Sequence, residues 1–251
     1  MLKWQAMSRS SSLHSPTFSP LYRQIKDLML RQLESGEWGP GSPIPSESEL
    51  AARFGVSQGT VRKAIDEMAA EHLLVRQQGK GTFVATHRDP GSFFRFLRLV
   101  PNHGELQMSQ SVPLECWRAK AGPDVARTLA LEAGAPITIV RRLLKLGEEP
   151  VVFDEIYLPS ELFPDLSLEA LRCGESLYSL FETRYGVRMI RADERLRAIA
   201  ADRVSAELLQ VSEGSPLLLV ERVTFTYGSR PVEWRRGFYS TRNYHYHNEL
   251  G

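Results

Sequence analysis

Apolar residues recur at helical spacing near the start of the chain. Leu21, Ile25, Leu28, Met29 and Leu33 share one face, while Arg23, Lys26, Asp27, Arg31 and Glu34 take the other. The pattern predicts a first helix that opens at Pro20 and stops in 35–43, a run dense in glycine and proline. A second helix starts at Ser46, whose spacing to Glu49 is that of a capping box, each side chain satisfying a free backbone N–H of the first turn. Leu50, Ala51 and Phe54 form its apolar face, and Gly55 suits the left-handed position that ends a helix. Only Val56 intervenes before Ser57, the N-cap of a third helix with Val61, Ile65 and Met68 inward, extended by Leu73. Apolar residues in 74–84 then flank Gly79-Lys80-Gly81, which predicts a two-stranded hairpin.

Farther on, period-two patterning dominates. Runs 137–146 and 151–158 flank Gly147-Glu148-Glu149-Pro150, and runs 217–227 and 232–246 flank Gly228-Ser229-Arg230-Pro231, so both pairs read as strand–turn–strand. Helical segments fit 123–131, 176–185 and 205–209. The expected fold class is α+β: an N-terminal winged helix-turn-helix followed by an antiparallel-sheet domain. The expected division is a disordered, Ser-rich leader over 1–18 (with Met7 an alternative start), a reader over 19–85, a polar linker over 86–92 and a second domain over 93–251.

Two helices joined by so short a turn place the second of them N-terminus first in a major groove. Ser57, Gln58, Thr60 and Arg62 occupy that entering end. Gln58 and Arg62, four residues apart, share a face; glutamine pairs with adenine, and arginine with guanine or phosphate. Gly79 and Gly81 allow close backbone approach to a phosphate or groove floor, and Lys80 between them offers a phosphate contact. The competing reading is a small helical domain with a hairpin lid. Order, capping, turn length and wing together favour the DNA reader.

Pro20-Leu21-Tyr22-Arg23-Gln24-Ile25, Ile44-Pro45-Ser46-Glu47-Ser48-Glu49-Leu50-Ala51, Phe54-Gly55-Val56-Ser57, Thr60-Val61-Arg62-Lys63-Ala64 and Gly79-Lys80-Gly81-Thr82-Phe83-Val84 closely resemble the GntR family of bacterial regulators. The resemblance implies operator contacts by Ser57, Gln58, Thr60, Arg62 and Gly79. Many members carry arginine where Ser48 and Gln58 stand here, which shifts the expected operator preference. The second domain resembles the UTRA effector domain of the HutC subfamily, with a chorismate-lyase-like fold. Its markers are Glu149-Pro150 with Tyr157-Leu158-Pro159, Ser176-Leu177-Tyr178 with Tyr185-Gly186-Val187, and Pro231-Val232-Glu233 with Tyr239. By position the resemblance implies ligand contacts from Arg142, Asp154 (Glu155 in the other register), Ser176, Tyr178, Glu233 and Tyr239. Arginines and carboxylates on neighbouring strands also pair merely to hold a sheet, and that reading stands beside the ligand one. Leu144 replaces a second arginine found in sugar-phosphate-binding relatives, and Phe93-Phe94-Arg95-Phe96-Leu97-Arg98 replaces their phosphate-binding stretch, favouring a carboxylate or other polar metabolite.

Composition narrows the classes further. The chain has 251 residues, 42% hydrophobic and 24% charged, with net charge +1. Residues 1–90 carry 11 Lys and Arg against 9 Asp and Glu, so a DNA reader here depends on the placement of basic groups rather than on bulk field. Cys116 and Cys173 are far apart and lack metal-ligand spacing, as suits a reducing cytoplasm. No apolar run has membrane-spanning length, and no nucleophile–base set, P-loop or dinucleotide motif appears, so the expectation is no catalytic residues, no metal and no cofactor. His245 and His247 alternate with tyrosines and read as a solvated strand end. The expected partners are double-stranded operator DNA, a small polar or anionic metabolite and a second copy of the chain, since one recognition helix reads only a half-site.

Overall fold

The structure, a computed structural model, describes residues 19–88, 98–105 and 108–248. The leader, residues 89–92 of the linker and the Phe93-Phe94-Arg95-Phe96 cluster lie outside the described residues.

The reader is three helices and a wing: α1 (Leu21–Glu34), α2 (Glu47–Phe54), α3 (Gln58–Ala70), β1 (Leu74–Gln77) and β2 (Gly81–Val84). The capping box at α2 is formed in full: Ser46 N donates to Glu49 Oε2 at 2.8 Å, and Glu49 N donates to Ser46 Oγ at 3.3 Å. Gly55 closes α2 with φ 65°, left-handed as its position demands. Ile25, Met29, Leu33, Leu50, Val61, Ile65 and Met68 all enter one core with Leu73, Leu74 and Val84, with Leu28 partly buried against it, whereas Leu21, expected on the same face, is exposed at the first position of α1. Trp38 and Ile44 also enter it. Ile44 N donates to Thr82 O, and Gly41 N to Val84 O, so the segment after α1 runs beside the wing.

The second unit is built on six antiparallel strands in the order β4-β5-β6-β9-β8-β7. These are β4 (Ser109–Lys120), β5 (Pro136–Leu146), β6 (Glu149–Pro159), β7 (Arg191–Ala200), β8 (Pro216–Phe225) and β9 (Pro231–Tyr239). A two-stranded sheet pairs β3 (Leu99–Pro101) with β10 (Tyr244–Tyr246). Among the described residues four α-helices complete the unit: α4 (Pro123–Thr128), α5 (Leu168–Leu171), α6 (Leu177–Tyr185) and α7 (Arg203–Leu209). One sheet face buries Val140, Ile156, Leu158 and Val232 against Leu177, Leu180 and Phe181 of α6. The opposite face buries Ile137 against Ala126 of α4, and Leu143, Phe153 and Phe238 against Ala206 and Leu209 of α7.

Two sequence expectations are corrected. The single strand expected over 232–246 ends at Tyr239, where Ser240-Thr241-Arg242-Asn243, a run of turn-forming residues, carries the chain out of the sheet; β10 then pairs with β3. The helix expected over 123–131 ends at Thr128, because Ala130 turns left-handed at φ 52°. Strands β4 and β7 are additions to the expected elements: both are sheet edges without a fully buried position, so neither carries the long apolar run that marks β5, β6 and β8.

The six-stranded sheet is also internally duplicated. Ala121, Ala126, Leu129, Gly134, Pro136, Val140 and Arg142 recur, in the same order and spacing, as Ala201, Ala206, Leu209, Gly214, Pro216, Val220 and Arg222. The backbone repeats with them. Gly134 N donates to Ala121 O at 3.0 Å and Gly214 N to Ala201 O at 2.8 Å; Ala130 and Gln210 are left-handed at φ 52° and 54°. Strands β4-β5-β6 with α4 and strands β7-β8-β9 with α7 are thus two versions of one unit. They join side by side at the β6–β9 pair, where Glu155 stands opposite Arg236.

Candidate DNA-reading surface and effector pocket

At the start of α3, Ser57 Oγ accepts from Thr60 N at 3.2 Å and lies 2.9 Å from Thr60 Oγ1, so these two hydroxyls cap the helix and fix its first turn. Gln58 and Arg62 are exposed beside them, one turn apart. Arg62 is already oriented: its Nε donates to Glu47 Oε2 at 2.9 Å and its Nη2 lies 2.8 Å from the same oxygen. Glu47 also takes Arg76 Nη1 at 3.1 Å, so one carboxylate at the start of α2 holds a recognition-helix arginine and a wing arginine together. The two arginines pull the Glu47 carboxyl below its ordinary range, Arg62 most strongly. The wing turn is closed by Lys80 N donating to Gln77 O at 3.0 Å, with Gly79 at φ 73° and Lys80 exposed at the tip. Ser48, also exposed, has no charge to add to this surface.

In the second unit the structure settles the register: Asp154 points to the α6 side of the sheet and is fully buried, whereas Glu155 lies on the opposite face between Arg141 and Arg236. Asp154 Oδ2 accepts from Arg142 Nε at 2.9 Å and from Arg235 Nη1 at 3.3 Å. Arg235 also donates to both oxygens of Glu233, and Tyr178 OH donates to Glu233 Oε1 at 3.0 Å. Burial pushes the Tyr178 hydroxyl up, so it remains a donor. Arg142, Asp154, Tyr178 and Glu233 are therefore brought together, with Arg235 as the link between the two carboxylates.

Ser176 stands apart from that cluster. Its Oγ caps α6 by accepting from Ser179 N at 3.2 Å, and it lines an open groove of about 1030 Å³ with His87, Arg88, Ser109, Ser111 and Glu175 among its walls. A second void of about 10 Å³ shares Ser111, Pro113, Leu171 and Glu175 with that groove and is also lined by Arg142 and Leu177. Tyr239 is buried on the same sheet face among Leu144, Val152 and Val220, its hydroxyl pushed up to about 12 by burial. Leu144 belongs to the same hydrophobic cluster.

Gly237 is what lets this cluster close. A Cβ there would lie 2.5 Å from the Tyr239 ring and 2.9 Å from Asp154 Oδ1, a buried atom with no hydrogen-bond partner among the described residues. Gly237→Ala is expected to displace the Asp154 carboxylate and lower stability by about 1–3 kcal/mol, read from the midpoint of denaturant unfolding.

Several participants went unrecognised in the sequence. Arg235 shares a face with Glu233 by simple alternation, and that signal was available; the repeat that pairs Arg222 with Arg142 was too. Glu182 and Arg188 had no local signal. Glu182, buried in α6, accepts from Thr86 Oγ1 and from His87 N at 3.1 Å, and Arg188 Nε lies 3.7 Å from it. Arg188 also donates from Nη2 to His72 O at 3.3 Å and from Nη1 to Tyr227 OH at 3.1 Å. His87 contacts both sides: its ring lies 5.6 Å from that of Tyr178, and its Nε2 accepts from Met189 N. His245 pairs through Nδ1 with Asn102 Oδ1 at 3.0 Å, and among the described residues no group of His, Cys, Asp and Glu could hold a metal ion. No helix of the described residues is long and apolar enough to cross a membrane.

Comparison with known proteins agrees with this arrangement of elements. Residues 21–84 match the bacterial regulatory proteins of the gntR family, and residues 109–245 match the UTRA domain. The chain is 30% identical over 232 residues to the histidine utilization repressor of Pseudomonas aeruginosa, covering 88% of this chain and 90% of that one. It is 28% identical over 215 residues to a probable fructoselysine utilization operon transcriptional repressor of Escherichia coli, covering 84% and 87%. The crystal structure of the ligand-binding domain of a putative GntR-family regulator from Bordetella bronchiseptica superposes with a TM-score of 0.61 at 48% identity, covering 62% of this chain and 98% of that one. A winged reader followed by a duplicated antiparallel sensor, matched along both parts, places this chain in the gntR family of bacterial transcription regulators, in the branch that carries a UTRA effector domain, and not among enzymes.

Proposed function

We propose that this chain is a metabolite-responsive repressor of a catabolic or transport operon, acting in the cytoplasm as a homodimer on palindromic operator DNA. The observation that carries the reading is the joining of an exposed Gln58–Arg62 reading end to a sensor whose groove is walled in part by His87, just beyond the wing. Relatives named as repressors of histidine, fructoselysine and mannosyl-D-glycerate systems support it. In this reading Ser57, Gln58, Thr60, Arg62, Gly79 and Lys80 meet the operator. Arg142, Asp154, Ser176, Tyr178, Glu233 and Tyr239 form or brace the effector site. A small polar or anionic metabolite entering the groove favours one arrangement of the two readers over another, and only one arrangement matches the half-site spacing.

The test is a footprint of the purified protein on DNA upstream of its own gene and on duplexes selected from a random pool. A protected palindrome whose protection changes with a metabolite is expected. Absence of any sequence-selective protection would end the proposal.

A further inference from the structure

Four charged side chains from three elements of the reader form a chain of alternating sign: Arg62 and Asp66 on α3, Glu47 at the first position of α2, and Arg76 on β1. Arg62 meets Glu47 Oε2 from Nε at 2.9 Å and from Nη2 at 2.8 Å. Arg76 donates from Nη1 to Glu47 Oε1 at 3.1 Å and from Nη2 to Asp66 Oδ1 at 2.6 Å. Each oxygen of Glu47 thus serves one arginine. Glu47 is itself fixed in place, because Ser46 caps α2 and the segment before it is bridged to the wing at Pro43 and Phe83. Holding Nε and Nη2 on one side leaves Arg62 Nη1 with no hydrogen-bond partner among the described residues, on a side chain that stays exposed.

Resting on the operator-reading role given to Arg62 above, we propose that Glu47 is a positioning residue for specificity: it presents Arg62 to a base edge and withholds Arg62 and Arg76 from phosphates, so that operator is favoured over other DNA. Two physical effects act in the same direction. An arginine free to swing satisfies itself on whichever phosphate is nearest, and such contacts carry no sequence information. One already engaged through its Nε side keeps its outer end for a planar pair of acceptors, such as the O6 and N7 edge of guanine. The second effect is charge. Residues 1–90 hold 11 Lys and Arg against 9 Asp and Glu, so one carboxylate is a large share of the balance. Placed between two arginines, it lowers the attraction for phosphate on every sequence alike. Asp66 shares the second effect only, since it holds Arg76 while Arg62 is held by Glu47.

The experiment is binding of the full-length protein to the selected operator and to a scrambled duplex over a range of salt. Glu47→Gln is expected to raise affinity for the scrambled duplex about 3–10-fold and to steepen its salt dependence by about one released counterion. The ratio of operator to scrambled affinity should fall about tenfold. That loss should sit at the base pair whose preference Arg62→Ala also removes, a signature that loosening of the fold would not give. Glu47→Asp keeps the charge and shortens the reach, so the ratio should fall through weaker operator binding, with scrambled affinity unchanged. Asp66→Asn removes one charge from the Arg76 side and should strengthen binding to both duplexes at a constant ratio. Equal ratios in wild type and Glu47→Gln, or an equal fall in Asp66→Asn, would overturn the assignment. So would an unchanged ratio in Glu47→Asp, which decides the matter if Glu47→Gln does not fold. Wild-type preference for operator tests the regulator reading itself and survives each of those outcomes.

Discussion

Arg62→Ala is expected to lower affinity for the selected operator by about 10–100-fold while leaving the fold in place. The size follows from the contact: an arginine bidentate to guanine contributes about 1–3 kcal/mol of discrimination, and each 1.4 kcal/mol is tenfold in affinity. The fold is spared because the Arg62 side chain is 60% exposed and its one ion pair among the described residues is with Glu47, which keeps Arg76. Exposed pairs of this kind contribute about 0–1 kcal/mol to stability. Titration of wild type and variant against the selected operator and a scrambled duplex checks it. Equal affinity of the two proteins for operator would remove Arg62 from the reading surface, and a parallel loss on both duplexes would make it a phosphate contact only. Glu47 is part of the same argument. By holding Arg62 and Arg76 on a single carboxylate it fixes the recognition helix and the wing relative to each other before DNA is met.

The reader was almost wholly legible in the sequence because its determinants are local. Ser46 with Glu49, Gly55, Ser57 and the Gly79–Gly81 turn each act within a few residues of themselves, and each sits where the pattern placed it. The sensor was legible in class but not in detail. Its buried strands β5, β6 and β8 carry apolar runs, whereas the exposed edges β4 and β7 take their conformation from a neighbour's backbone and leave little trace in their own residues. The candidate site divides in the same way. Arg142 and Asp154 could be named from position, but the register that separates Asp154 from Glu155 is set by the pairing of β6 with β5 and β9. Arg235 and Arg222 look like ordinary members of charged strands until the sheet shows which face they take.

The contact between reader and sensor was the least legible part, and it yields the second large effect. Arg188 reaches from the sensor to the carbonyls of His72 and Leu73, just past the recognition helix, while its Nε faces Glu182 of α6. Both side chains are nearly inaccessible, 5% and 3% exposed. Ile190 and Tyr227 of the sensor pack against the reader core around them. Removing one member of a buried pair strands the other charge, which costs about 3–5 kcal/mol. Here the stranded group would be Glu182, left with Thr86 and His87 on the segment that leaves the wing. Arg188→Met is therefore expected to release the reader as well as to destabilise: calorimetry should resolve two transitions where wild type unfolds in one, and protease should cut more readily in the segment after the wing. The two ends of α6 tie this latch to the effector site, since Ser176 caps the helix at the groove, Tyr178 donates to Glu233, and Glu182 holds the exit of the reader one turn farther on. If Arg188→Met also widens the range of half-site spacings that a dimer accepts, while affinity for an isolated half-site stays constant, the latch sets reader orientation. A single transition at the wild-type midpoint would show that the reader is held by its apolar contacts alone.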